Sequence, residues 1–193
     1  TGASSITGII SEGVSALAVT KAGAGTLTLS GANTYTGLTT VSAGTLKLGA
    51  TGGATNTPLG TTTAGTVVST NGTLDLAGFT LGTAEALTLN GTGTGSIGAL
   101  MNSGSAATYS GNITLGTAST IKNAGTLSLT GNINGGFGLT LTTTSTNPIE
   151  IRGSIGNTTP LSSITTSATS SGTVDFYTAT SVLTSGNQTY GSN

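Results

Sequence analysis

Cysteine, histidine and tryptophan are absent from this sequence, charged residues make up only 5% of it, and just three prolines occur in 193 residues. Without cysteine there is neither a disulfide nor a thiolate metal site. Without histidine a His-based catalytic triad is excluded, and transition metals lose their commonest ligand. Four basic residues against five acidic ones leave a net charge of −1, so no surface could neutralise a row of phosphates and nucleic acid is not an expected partner. Calcium would need several oxygen ligands, but neither a GGxGxD nonapeptide nor an acidic cluster occurs. No lysine follows a glycine-rich run at phosphate-loop spacing. No cofactor, no metal and no catalytic residue is therefore expected. Apolar runs stay well short of the roughly 18 to 20 residues that span a bilayer, so no transmembrane segment is expected within these residues.

Aromatics are scarce too, four Tyr and three Phe, which makes a thick globular core hard to fill. A solenoid needs only a thin row of aliphatics per turn, so length adds turns without widening the interior. What the sequence has in abundance is threonine, 45 residues, and glycine, 33 residues. The first favours strands and the second breaks helices. Low-complexity disorder is the rival reading of so much Gly and Ser, but disorder brings high charge and few aliphatics, whereas the aliphatics here recur with strand alternation.

That recurrence is an internal repeat. Gly25-Thr26-Leu27-Thr28-Leu29 returns as Gly44-Thr45-Leu46-Lys47-Leu48, then as Gly72-Thr73-Leu74-Asp75-Leu76 and Gly125-Thr126-Leu127-Ser128-Leu129. Leu27 and Leu46 are 19 residues apart and Leu46 and Leu74 are 28 apart. Leucine alternating with a polar residue is the period of a strand whose two faces see different environments. A strand that cannot bury its apolar face alone must stack on its neighbours. The expectation is one all-β unit, a parallel β-helix over residues 1–193. Coils of about 20 residues would give about nine to ten coils, each adding about 4.8 Å. Leu27, Leu29, Leu46, Leu48, Leu74, Leu76, Leu127 and Leu129 are expected to point inward in continuous rows. Asn33, Tyr35 and Gly37 mark the turn between the first two strands, with Tyr35 packing at a corner. Residues 51–63 lack alternation and contain Pro58, so they read as a protruding loop that lengthens one coil. Residues 158–193 read as less regular Ser/Thr-rich coils. Strand-like segments at gaps of ten to fourteen residues also fit a sandwich, and the 19-residue echo is what favours a column. Thr1 at the first position, with no charged or Pro-rich cap at either end, reads as a piece of a longer protein or as coils that stack end to end. The nearly neutral, hydroxyl-covered surface offers little repulsion between copies, so self-association, end-to-end or lateral, is expected.

The acids are Glu12, Asp75, Glu85, Glu150 and Asp175. Asp75 holds the strand position of Lys47, so the two read as an outward pair worth at most about 1 kcal/mol. Glu150 and Arg152 flank Ile151 in the same manner. Five Asn-x-Thr triplets, at Asn71, Asn90, Asn112, Asn157 and Asn187, are about as many as chance supplies and carry little weight; asparagine ladders between coils are the expected use. Thr26 and Thr28, with the run 140–144, raise the alternative of a flat hydroxyl grid that binds ice or carbohydrate.

The stretch Gly25 to Gly37, GTLTLSGANTYTG, followed by Thr39-Thr40-Val41 and Gly44-Thr45-Leu46, resembles the autotransporter-associated β-strand repeat, or passenger-associated transport repeat, of bacterial type V secreted passengers. Leu38 departs from it, standing where the family has a second glycine. Residues 72–79 and 95–141 are similar to sequence found between such repeats, and residues 186–191 to a turn of filamentous-haemagglutinin-like exoproteins. The resemblance implies a right-handed parallel β-helix, export, an extracellular or outer-surface location, and a structural or adhesive role as stalk, fibre or matrix element; the outward Thr and Ser add surface glycans as expected partners. An exported polysaccharide-active enzyme is the remaining alternative and would need two carboxylates together in a cleft.

Overall fold

The computed structural model describes residues 2–168, 171–177 and 181–191; Thr1 and Asn193, the outer limits of the expected unit, lie outside the described residues. The strand Thr26–Leu29 lies parallel to Thr39–Leu48, with Thr26 beside Thr45, Leu27 beside Leu46 and Leu29 beside Leu48. Leu46 continues onto Leu74, Leu74 onto Leu100, Leu100 onto Ile121 and Ile121 onto Leu141. One inward aliphatic row thus runs through the molecule, and leucines distant in the chain stack one above another. The same row begins at Ser4 beneath Leu27 and ends at Thr166 and Tyr190. All of these pairings are parallel, so the backbone hydrogen bonds run along the long axis. The architecture is a parallel β-solenoid with no α-helix among the described residues; a three-residue 3-10 turn, Thr94–Ser96, is its only helical element there.

Most strands form one twelve-stranded sheet that bends around the coil, and a second sheet stacks Ala106–Tyr109, Thr126–Leu129, Ile149–Ile151 and Val174–Phe176. The interior is filled by Leu, Ile and Val plus two wholly buried tyrosines, Tyr35 and Tyr109.

Four expectations need adjusting. The solenoid has about eight turns rather than nine to ten, because the coil step is not constant: Thr45 meets Thr73, Leu74 meets Leu100, and Thr166 meets Tyr190. Leu127 and Leu129 point inward and are buried, but they stand in the second sheet, between Ala107 and Ile149 and between Tyr109 and Ile151. The fourth copy of the motif therefore lines a different wall from the other three. Leu27 is half-buried, because the coil beneath it presents Ser4. Residues 51–63 do not simply protrude. They fold into an antiparallel hairpin, Asn56–Thr57 against Gly60–Thr61, whose residues 57–60 are buried against the corner.

Close stacking dictates where side chains cannot go. A Cβ on Gly131 would overlap the carbonyl of Gly111, and a Cβ on Gly153 would overlap that of Gly131. These three glycines form a seam where successive coils touch backbone to backbone.

Leu46→Asp would place a carboxylate with no cation partner in this narrow interior, at a cost of roughly 4 kcal/mol or more. The expected outcome is loss of the β-sheet signal in far-ultraviolet circular dichroism, while Lys47→Ser, one residue along on the outer face, keeps it. A folded Leu46→Asp would refute the inward row.

Candidate functional site

The outer face of the main sheet carries a second register. Thr26, Thr45 and Thr73 are neighbours, and Thr120, Thr140, Thr165 and Thr189 are neighbours further along. Between the two groups lies Ala99, buried where the 3-10 turn folds over the sheet; there Thr73 Oγ1 donates to the Gly98 carbonyl at 2.8 Å and Lys122 Nζ donates to the Ser96 carbonyl at 2.7 Å. The adjacent outward column is mixed: Lys47 and Asp75, then Met101, Lys122, Thr142 and Ser167. In the last third the two columns combine into a hydroxyl patch of Thr140, Thr142, Thr165 and Ser167, with Thr142 Oγ1 and Ser167 Oγ 3.1 Å apart.

The turn residues meet at one corner. Asn33 is buried and joins three levels: its Oδ1 accepts from the Ile10 amide at 2.7 Å, and its Nδ2 donates to the Pro58 carbonyl at 2.7 Å. Tyr35 is wholly buried, its hydroxyl 2.7 Å from Thr39 Oγ1, which donates onward to the Leu59 carbonyl at 2.8 Å. Gly37 is required because a Cβ there would overlap the Leu17 carbonyl. Glu12 ties the first coil to this corner, its carboxylate accepting from the Thr36 amide and hydroxyl.

Beyond the corner, toward the later coils, a polar cluster sits inside the apolar interior. Glu85 is fully buried, accepting from Thr66 Oγ1 at 2.6 Å, with Thr57 Oγ1 3.3 Å from its other oxygen. Tyr109 donates its hydroxyl to the Glu85 backbone carbonyl at 2.8 Å. Burial pushes the Glu85 carboxyl up to about 7 against the pull of the Thr66 and Thr57 hydroxyls, and pushes Tyr35 up to about 12.

Asp75 and Lys47 are register neighbours as expected, 3.8 Å apart, but only Lys47 is exposed, at 40%, while Asp75 is buried. Its oxygens accept from the Ala77 and Ser103 amides and the Ser103 hydroxyl, so the aspartate fastens the turn after its own strand to the next coil. Glu150 and Arg152 form the expected exposed pair at 3.1 Å, and the guanidinium also lies 4.6 Å from the Tyr177 ring centroid.

Two strands, Thr26–Leu29 and Thr39–Leu48, joined by the Asn33 to Gly37 corner, are the unit that a known family shares. Residues 19–48 match the Passenger-associated-transport-repeat. Neither the curated proteins nor the solved structures yielded a match to the chain. The repeat and the β-solenoid together fit autotransporter passenger-like repeat proteins, and a repeat of that class implies a secreted or surface protein. That match covers residues 19–48, and the chain around it continues the parallel β-solenoid. No helix among the described residues is long and apolar enough to cross a membrane.

Within the repeat, sequence reasoning missed Lys21. It is buried, and its ammonium donates to the carbonyls of Ala22, Gly23 and Ala43 at 3.1, 2.7 and 2.9 Å. Desolvation lowers its pKa. The sequence signal was modest: a lone lysine two residues before Gly23, facing the glycine-rich start of the following strand. Outside the repeat, Glu85 was missed because its partners Thr57 and Thr66 come from other coils. Among the described residues no group of three His, Cys, Asp or Glu side chains is placed to hold a metal ion.

The raised Glu85 pKa fixes a sign. The folded form favours the protonated acid, so its stabilisation is complete below the ordinary carboxylate range and is lost as pH climbs through about 7, a penalty of at most about 3 kcal/mol. Thermal melts of Glu85→Gln are expected to lack this fall between pH 5 and 8, leaving the variant the more stable of the two at pH 8.

Proposed function

We propose that the chain is a structural, non-catalytic segment of a bacterial secreted surface protein, a β-helical stalk or filament element used in adhesion, aggregation or matrix. The observation that supports this most is the inward row from Leu27 to Leu141, continuous over Leu46, Leu74, Leu100 and Ile121. It makes the molecule a rod of about 40 Å at about 4.8 Å per coil, with nearly all stabilising contacts between adjacent turns. Its acids are engaged structurally rather than arranged as a catalytic pair: Glu150 and Asp175 are register neighbours, but Glu150 pairs with Arg152 and Asp175 accepts from Thr173 Oγ1 at 3.0 Å. Partners are copies of the same chain or surface glycans, held by many weak contacts along a long face.

Electron microscopy of the purified chain tests the first part. Short rods about 40 Å long, or filaments built from them, are expected; globular particles would sink the proposal. Displayed on a bacterial surface, the chain is expected to increase cell clumping over the empty display scaffold.

A second reading, a carbohydrate- or ice-binding face, is favoured by the in-register threonines Thr140, Thr165 and Thr189 with Thr142 and Ser167 beside them. Under it, Thr140→Lys with Thr165→Lys folds normally yet loses glycan retention or thermal hysteresis at least tenfold. If neither activity is present in the parent chain, that reading fails.

A further inference from the structure

Glu85 serves neither the outer face nor the aliphatic rows, yet it joins the hairpin and the strand after it to the next coil. Thr57 comes from the tip of the hairpin Asn56–Thr61, Thr66 from the strand that follows it, and Glu85 from the next turn. The hairpin is attached to the corner by a few identifiable bonds: the Asn33 amide to the Thr57 carbonyl, Asn33 Nδ2 to the Pro58 carbonyl, Thr39 Oγ1 to the Leu59 carbonyl and the Thr61 amide to the Tyr35 carbonyl.

Thr57 has one hydroxyl proton and two acceptors near it. The Gly60 carbonyl, across the hairpin, lies at 3.1 Å and the second oxygen of Glu85 at 3.3 Å, while the same hydroxyl oxygen accepts from the Leu59 amide at 3.0 Å. When Glu85 carries a proton, every group is matched: Thr66 donates to one carboxyl oxygen, the other donates its proton to Thr57, and Thr57 passes its own proton to Gly60. When Glu85 is ionised, the carboxylate and the Gly60 carbonyl compete for one proton, and one of two buried acceptors goes without. No cation compensates, because no ion pair involves Glu85 among the described residues. The other titratable groups facing it are Tyr35 and Tyr109, both held neutral by burial. The least costly way to rehydrate the carboxylate is to lift the hairpin, whose neighbouring residues 51–56 are already exposed or half-exposed.

We propose that the hairpin Asn56–Thr61 is an acid-locked clasp: a proton on Glu85 completes the chain through Thr57 to Gly60 and holds the hairpin down, and loss of that proton releases it, baring Leu59 and Tyr35 while the stacked sheets stay intact. The opening is local, since the inward row from Leu46 to Leu141 does not pass through the hairpin. A carboxyl raised to about 7 places the transition near neutrality.

Amide hydrogen exchange across pH 5.5 to 8.5, corrected for intrinsic base catalysis, tests this on the intact chain. The opening constant at Leu59 and Thr61 is expected to rise up to about tenfold per pH unit from pH 5.5 to about 7 and to level off above it, where both states are ionised, while Leu46 and Leu141 keep constant protection. Glu85→Gln, whose amide can donate to Thr57 as the acid does, is expected to stay closed throughout, and Thr57→Val to be open at every pH. A flat profile at Leu59 and Thr61 in the parent overturns the clasp, as does an equal pH response in Glu85→Gln. Loss of protection at Leu46 together with the hairpin also overturns it, because the response would then be global unfolding. Should Glu85→Gln not fold, the parent's profile decides alone.

Discussion

Everything in this molecule depends on one constraint: each coil must offer the next a parallel strand in register, with an aliphatic side chain where the next also has one. Because the ladder bonds run along the axis, a coil contributes little to any part of the molecule beyond its two neighbours. The core is then a stack of thin layers, and its width is set by single residues. Leu46 touches Leu27 on one side and Leu74 on the other, and that pair of contacts, repeated, is what the fold consists of. With so few large side chains available, a composition rich in Thr and Gly suits such a stack better than it suits a globule.

Several of the polar groups in this interior solve a backbone problem. Asn102 accepts from the Gly78 and Gly104 amides and donates to the Thr126 carbonyl, and Asn123 donates to the Gly125, Asn147 and Pro148 carbonyls. These turns cannot use ladder bonds, since the chain changes direction there, and the buried amides replace them. Asp75 and Lys21 do the same with charges, an anion collecting amides and a cation collecting carbonyls. Glu85 differs, being matched by hydroxyls, which can turn either way.

Much of the architecture was legible in the sequence because strand alternation is a local property: a leucine two residues from a leucine, with a glycine ahead, marks a strand wherever it occurs. Which wall of the coil a strand lines is not local. Gly125-Thr126-Leu127-Ser128-Leu129 reads like the other three copies, yet the coil lengths accumulated before it bring it against Ala106–Tyr109 rather than onto the column of Leu74. The same limit hid Asp75, whose strand position suggested the surface. Its burial is decided by Ser103, 28 residues later, arriving from the next coil. For Glu85 there was no local sign, since a single glutamate among alanines before a strand reads as a solvated turn. The hairpin was misread because Pro58 and the broken alternation do signal a departure from the strand, but not the direction in which the chain returns.

The seam of Gly111, Gly131 and Gly153 has an outcome for how such a protein can diversify. Along that edge no residue can acquire a side chain without forcing coils apart, so substitution there is closed to selection for new contacts. Novelty must accumulate elsewhere, at corners such as the one holding the hairpin or on the threonine-bearing wall. A partner that recognises side chains would have to approach from those sides, since the seam offers it none.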